Sequence, residues 1–483
     1  MIGVQRRQDG PVDRTALIVI GVVSVLLVAI FASIDLMNFD VVMGVIVVLV
    51  LAIATVPLLR WIARKEDPAI LNILYWGLAL KAIFTLVRYF VITVVYADNG
   101  DAGVYSRGGE YLMDLYRQGN FVLEVPFLAG RGEETNRIAV VVGFIYMLTG
   151  VSRYAASFVF SWLCFIGQLL MYRAFRRGVP DGDPRRYAVL VLILPSMLFW
   201  PSSIGKEALM VFSIGVASFG AAKLLSARTD ASGLLIFLAG TAGLFFVRPH
   251  MSLIAIVSLA MAGFVSVVTG FSQQEDKRAS ARPFAIRILA LGVLLAASAA
   301  ATTQVGKVLG DGSGEESDQG LTSILERTKS QTSEGGSTYE PIAMTSPVQF
   351  PPAAVTVFVR PFPWEAHSVN SIIASGEGLL LVSIAAVGRR RLLSWCKALP
   401  QRPYLVYCLA FTITFVVAFS YIANFGILAR QRTQMLPLML TILAMPIAAR
   451  TRPSWFGSNT RVRTTGVDSH DLAAPARPHN GRQ

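Results

Sequence analysis

"LNILYWGLALKAIFTLVRYFVITVVYADNGDAGVYSRGGEYL", residues 71–112, carries the two signals that decide the fold. Up to Tyr96 it is an apolar run whose only charged residues are Lys81 and Arg88. A helix rises about 1.5 Å per residue, so about 20 such residues cross the roughly 30 Å of bilayer hydrocarbon. The run is continuous rather than alternating, which excludes a barrel strand. The stretch then turns polar. It places Asp98 and Asp101 three residues apart, with Tyr105, Arg107 and Glu110 behind them.

The same apolar signal recurs along the chain, at 15–34, 41–59, 70–96, 137–152, 155–175, 187–203, 207–226, 233–247, 251–271, 285–302, 369–388, 404–424 and 433–449. Residues are 54% hydrophobic and 15% charged, a balance that soluble domains rarely reach. The fold class expected is therefore all-α, a polytopic transmembrane helical bundle. The net charge of +13 falls in short loops between the runs, so it marks topology rather than a nucleic-acid partner. Cys164, Cys396 and Cys408 make no zinc-like cluster with histidine and imply no disulfide framework. The basic N-terminus precedes an apolar stretch too long for a signal peptide, so it reads as an uncleaved first helix.

Arginine and lysine mark cytoplasmic loops. Arg6, Arg7 and Arg14, then Arg60, Arg64 and Lys65, then Arg173–Arg186, Lys277–Arg282 and Arg389–Arg402 all call for the inside. Parity requires that 137–152 dip in without crossing, as a re-entrant segment buried by other helices. That gives about twelve crossings with both termini cytoplasmic in a multi-pass inner-membrane protein. The expected divisions are an N-terminal transmembrane module, 1–302, with a first external loop at 97–136; a large polar external loop at 303–353; a C-terminal transmembrane module, 354–449; and a disordered cytoplasmic tail, 450–483. The external loops should carry short amphipathic helices.

With that topology, unusual polar groups collect at one face. Asp98 and Asp101 follow the third run, and Lys206 and Glu207 follow 187–203. Arg248 with His250, then Arg360, Trp364, Glu365 and His367, then Arg430 with Arg432, occupy the remaining outer turns. Ionisable groups at membrane depth are costly and usually face a cavity or a partner. Plainer roles exist for each. Asp98 can cap a helix starting near Ser106, Lys206 and Glu207 can pair locally, Arg248 can anchor at the interface, and Trp364 can belong to the aromatic belt. Lys81 and Arg88, seven apart on one helical face, read as pairing inside the bundle or snorkelling. Taken together, however, carboxylates and fixed cations suit one chemistry. A carboxylate takes a proton from an attacking hydroxyl, while arginine and lysine hold a departing phosphate.

"DNGDAGVYSRGGEYLMDLYRQGNF", "GFIYMLTGVSRYAASFVFSWLCFIGQLLMYRAFRR" and "LPSMLFWPSSIGKEALMVF" resemble segments of the GT-C glycosyltransferases, membrane enzymes that use polyprenyl-phosphate sugar donors. "PFPWE" and "NFGILARQR" look like further parts of the bacterial polysaccharide-cluster members, with the resemblance covering roughly residues 70–250 and weaker elsewhere. It implies an inverting transfer with an external-loop carboxylate as base, by position Asp101 or Asp98, and with Tyr105 as the aromatic of the "DA…Y" context. The family's acidic pair is often adjacent, whereas here it is separated, which leaves the choice of base open. Some members bind a divalent cation through such acids and some bind none.

The function expected is transfer of a sugar from a polyprenyl-phosphate donor to a cell-envelope glycan or lipid acceptor at the outer face. Lys206, Arg248, Arg430 and Arg432 would hold donor phosphate, Glu207 would orient Lys206 or touch sugar, and Trp364 with Glu365 would contact the sugar. The partners are membrane lipids, the donor, the acceptor and glycan-assembly machinery. A polysaccharide polymerase or ligase would use the same donors. A flippase would instead place charges near the midplane within paired repeats and broken helices. A non-catalytic assembly component would tolerate loss of the aspartates.

Overall fold

A computed structural model describes residues 38–97, 100–130, 132–226, 230–269, 338–342, 346–367 and 369–447. They belong to one compact unit, Met1–Ile447. In chain order the helices are α1 (Phe39–Glu66), α2 (Leu71–Phe90), α3 (Asp101–Arg117), α4 (Glu133–Thr149), α5 (Arg153–Gly178), α6 (Pro184–Ile193), α7 (Pro195–Phe199) and α8 (Lys206–Leu225). There follow α9 (Ser232–Val247), α10 (Pro249–Val268), α11 (Phe350–Val359), α12 (Val369–Val387), α13 (Arg389–Ala398), α14 (Pro403–Phe419), α15 (Phe425–Arg432) and α16 (Leu436–Met439). No strand occurs among the described residues, in keeping with the all-α expectation.

Five of the described helices are long and apolar enough to cross a membrane: α1, α2 with its flanking turns, α5, α8 and α10. A sixth results if α12 and α13, which meet at a 72° bend, count as one span. The expected runs 15–34 and 285–302, the tail 450–483 and most of the loop 303–353 lie outside the described residues. Two of the expected runs are not single helices. Run 187–203 is not one helix but α6, α7 and an irregular linker. The described part of run 433–449, up to residue 447, forms α16 and a 3-10 turn at Ile442–Ala444 and is largely buried as far as Met445.

The apolar window of α1 is 17% buried, whereas those of α5 and α8 are 72% buried, so α5 and α8 are the core and α1 is peripheral. Ile46, Val50 and Ile53 on α1, Phe90 at the end of α2, and Val94 and Val95 after it expose apolar side chains that suit lipid contact. α5 and α8 approach closely through small residues. A Cβ on Gly215 would strike the Gly167 carbonyl, and one on Gly167 would come within 2.5 Å of the Phe212 Cα.

Polar groups sort to the two ends of this core. At the C-terminal end of α5, Arg173 meets Glu66 at 3.2 Å, Arg185 meets Asp67 at 2.8 Å and Arg402 meets Asp181 at 3.0 Å. Three of the arginine-rich loops assigned to one side are thus brought together. At the other end, about 40 Å away by the rise of a 26-residue helix, Asp40 accepts from Ser152 and the Tyr154 N–H and also from the Tyr89 hydroxyl. Both ends of α4 lie here: Glu134 meets Lys206, and the turn after Thr149 meets Asp40 through Ser152. α4 therefore lies across this end against α3, rather than dipping into the bundle as expected.

The interruption of run 187–203 has a specific chemistry. Pro195 has no N–H and disfavours helical backbone at Leu194, so the helix opens there. The freed groups find side chains instead. Gln168 donates to the Val191 carbonyl at 2.8 Å, Lys81 donates to the Met197 carbonyl at 2.7 Å, and Glu377 accepts from the Ser196 N–H at 2.9 Å. The linker from Pro201 to Gly205 is buried, with Ser161 and Ser202 bonded at 3.2 Å. Non-helical backbone at this depth is stable only when protein supplies such partners.

Gly215→Ala is expected to cost about 1–3 kcal/mol by overpacking the α5–α8 contact. Gly263→Ala on α10, where an added Cβ meets nothing, is the control and leaves the thermal midpoint in detergent unchanged or slightly raised.

Candidate active site

The end of the core that gathers α3 and α4 also holds a cavity of about 340 Å³, within the range of small-ligand pockets. Its walls come from four places. Arg88 near the end of α2 is followed by Ile92 and Tyr96 from the adjoining Val91–Val95 π turn and its cap, a turn of the kind often found at functional sites. Gly100, Asp101, Ala102 and Tyr105 come from the start of α3. Trp200, Ser203, Ile204, Gly205 and Glu207 come from the linker and the first turn of α8. Asn424, Gly426, Ile427 and Arg430 come from α15.

Arg430 joins the separate walls. Its Nη2 donates to Asp101 at 3.0 Å and to Glu207 at 3.1 Å, and its Nε reaches Glu207 at 3.2 Å. α15 is placed for this by Asn424, whose side chain accepts from the Gly426 and Ile427 N–H groups and caps the helix. Glu207 in turn sits in the first turn of α8, where the helix dipole favours a carboxylate. Attraction to Glu207 first, with Asp101 adding to it, outweighs burial and raises the Arg430 pKa, so the guanidinium stays charged. The two acids differ in access: the Asp101 side chain is 58% exposed and that of Glu207 is 8% exposed.

Of the residues singled out in the sequence, Asp101, Tyr105, Glu207 and Arg430 converge on this cavity. Asp98 lies outside the described residues. The helix beyond it begins at Asp101, not near Ser106, with Gly100 at its cap. Lys206 points to Glu134, at 3.3 Å, and Arg248 bonds Gln431; both stand beside the cavity rather than lining it. Arg432 is fully buried and donates to the Phe358 carbonyl at 2.6 Å, tying α15 to α11. Glu365 pairs with Arg360 and accepts from the Phe362 N–H, so it is the buckle of a turn. Trp364 is 74% exposed and stacks on Phe362. Arg432, Trp364 and Glu365 are thus not brought into the cavity.

Sequence reasoning gave Arg88 only a pairing or snorkelling role and did not single out Trp200 or Glu134. Arg88 precedes the "ADNGD" loop by about two helical turns and shares a face with Ile92 and Tyr96 at i+4 and i+8. That periodicity was the available signal. Glu134 stands too far along the chain from Lys206 for spacing to reveal the pair. Among the described residues no group of three or more His, Cys, Asp or Glu side chains could hold a metal ion, and the two carboxylates nearest the cavity share Arg430.

Partial burial pushes the Glu134 pKa upward, but the Lys206 ammonium beside it, its own N–H and Arg248 outweigh this and leave it below the usual carboxylate value. A depressed carboxyl adds stability above its unfolded pKa and loses it as pH falls through the folded one. The wild-type advantage in thermal midpoint over Glu134→Gln should therefore be constant above about pH 5 and shrink on acidification. Glu207→Gln should cost about 1.5–3 kcal/mol through weakened hydrogen bonds to a charged group. Asp101→Asn, at the exposed end of the same network, should cost less than about 1 kcal/mol. Chemical or thermal unfolding of both variants reads the difference. No protein-family model, curated protein or solved structure matches this chain.

Proposed function

We propose that the protein is an integral membrane glycosyltransferase of the GT-C kind, acting on a polyprenyl-phosphate-linked sugar at the outer face of a bacterial cytoplasmic membrane. The observation that carries this reading is the meeting of an accessible carboxylate, Asp101, with a fixed guanidinium, Arg430, in one cavity at the end of an apolar bundle. Asp101 takes the proton of the acceptor hydroxyl. The acceptor oxygen forms a bond to the anomeric carbon while the bond from that carbon to the donor phosphate oxygen breaks. The electron pair leaves with the phosphate, which remains on its lipid, and the configuration inverts. Arg430 neutralises the developing charge, and Glu207, too buried to meet an acceptor freely, holds Arg430 in place.

A preassembled glycan in place of one sugar would make the same site a polymerase or ligase, with the same proton and phosphate chemistry. A lipid-linked-sugar transporter is the second reading. Two observations favour it: Lys81 is fully buried on α2, and the run 187–203 is interrupted. Both have a structural use, however, since Lys81 closes the Met197 carbonyl that the interruption opens.

Asp101→Asn, expressed at wild-type level, should lower transfer from a polyprenyl-phosphate sugar by about 10²- to 10⁴-fold, the usual worth of a general base, with the donor still bound. Full activity in that variant would remove Asp101 from the chemistry and turn attention to transport, measured as movement of the same donor across proteoliposomes.

A further inference from the structure

Arg88 is only 9% exposed, yet its Nε and Nη1 have no hydrogen-bond partner among the described residues. Its guanidinium lies over the rings of Phe199, at 4.8 Å, and Trp200, at 5.3 Å, and it lines the cavity. The aromatic faces offset part of the desolvation of the charge but fill none of its N–H positions. A buried, unpaired guanidinium is among the more costly features a fold can keep. The other cations around this cavity are committed: Arg430 to Asp101 and Glu207, Lys206 to Glu134, and Arg248 to Gln431. Among the described residues, Arg88, Arg248, Arg430 and Lys206 outnumber Asp101, Glu134 and Glu207. The local balance is positive, and Arg88 is where it stands open.

We propose that Arg88 is the anion ligand of this cavity and that it takes a phosphate group. Tetrahedral phosphate suits the geometry better than a planar carboxylate. Its several oxygens can accept from different edges of one guanidinium and still face a second cation, Arg430, across the cavity. Phosphate between Arg88 and Arg430 would also relieve the repulsion of two like charges in one enclosure. On the transferase reading, on which this builds, Arg88 is the group that holds the donor phosphate, and it places the leaving group on the α2 wall, facing Asp101. α2 itself carries exposed apolar residues on its other side, so an isoprenyl chain has lipid-facing surface within reach.

The test uses the full-length protein in nanodiscs, titrated with farnesyl phosphate, farnesol and inorganic phosphate. Wild type should bind farnesyl phosphate, Arg88→Gln should bind it about 10- to 100-fold more weakly, as for loss of a hydrogen bond to a charged group, and Arg88→Lys should fall between. In wild type, a photoreactive isoprenyl phosphate should label segments 84–96 and 199–205, which reads the contact without any substitution. Farnesyl phosphate bound more tightly than inorganic phosphate, with both dependent on Arg88, assigns the site to a lipid headgroup. Equal, Arg88-dependent binding of the two assigns it to a soluble phosphate. Unchanged affinity in Arg88→Gln together with labelling elsewhere overturns the proposal. The transferase reading fails separately: if Asp101→Asn transfers sugar at the wild-type rate while phosphate binding still depends on Arg88, the phosphate site stands without that reaction.

Discussion

Every backbone group at the opening between Ile193 and Lys206 has to find its partner inside the protein, because hydrocarbon offers none. Gln168, Lys81 and Glu377, from three different helices, provide partners for the Val191 carbonyl, the Met197 carbonyl and the Ser196 N–H. The site depends on this arrangement. Only because the chain opens there can Trp200, Ser203 and Gly205 line the cavity as irregular backbone and Glu207 begin a new helix beside it.

The charges follow the same rule of compensation. A polar group on an apolar chain is kept where another one meets it. Arg173 with Glu66 and Arg185 with Asp67 secure one end of the bundle, and Lys206 with Glu134 secures the other. Arg430 has two carboxylates and so is a rigid strut as much as a ligand. It fixes α15 against α3 and α8, and with it the width of the cavity. Among the cations that line or flank the cavity, Arg88 is the one left without such a partner among the described residues, and its position is chemically informative for that reason.

Long-range partners were hidden for a simple reason. Residues on one helix announce each other by periodicity, as Arg88, Ile92 and Tyr96 do. Residues such as Asp101, Glu207 and Arg430 are separated by hundreds of positions and meet only through the packing of α3, α8 and α15. Arg432 shows the opposite error. Two positions from Arg430, it looked like a second cation for the same ligand, but a helix turns about 100° per residue, so i+2 points to another side. It donates to the Phe358 carbonyl instead. Trp364 and Glu365 likewise share a motif with Arg360 but close a local turn.

By itself the sequence determined the class of the protein. Apolar runs of spanning length admit only helices, and arginine-rich loops must gather where charge can be paired, as Glu66, Asp67 and Asp181 pair with theirs. It also pointed to Asp101, Tyr105, Glu207 and Arg430, because ionisable groups beside apolar runs are too costly to be incidental. Hydropathy could not tell a crossing helix from a buried, broken one, since both are equally apolar. Runs 187–203 and 433–449 therefore read like the long continuous helices. Which of the polar residues share a cavity was decided only by tertiary packing, because contact between helices depends on their rotation and depth, and neither is written in the composition of a single segment.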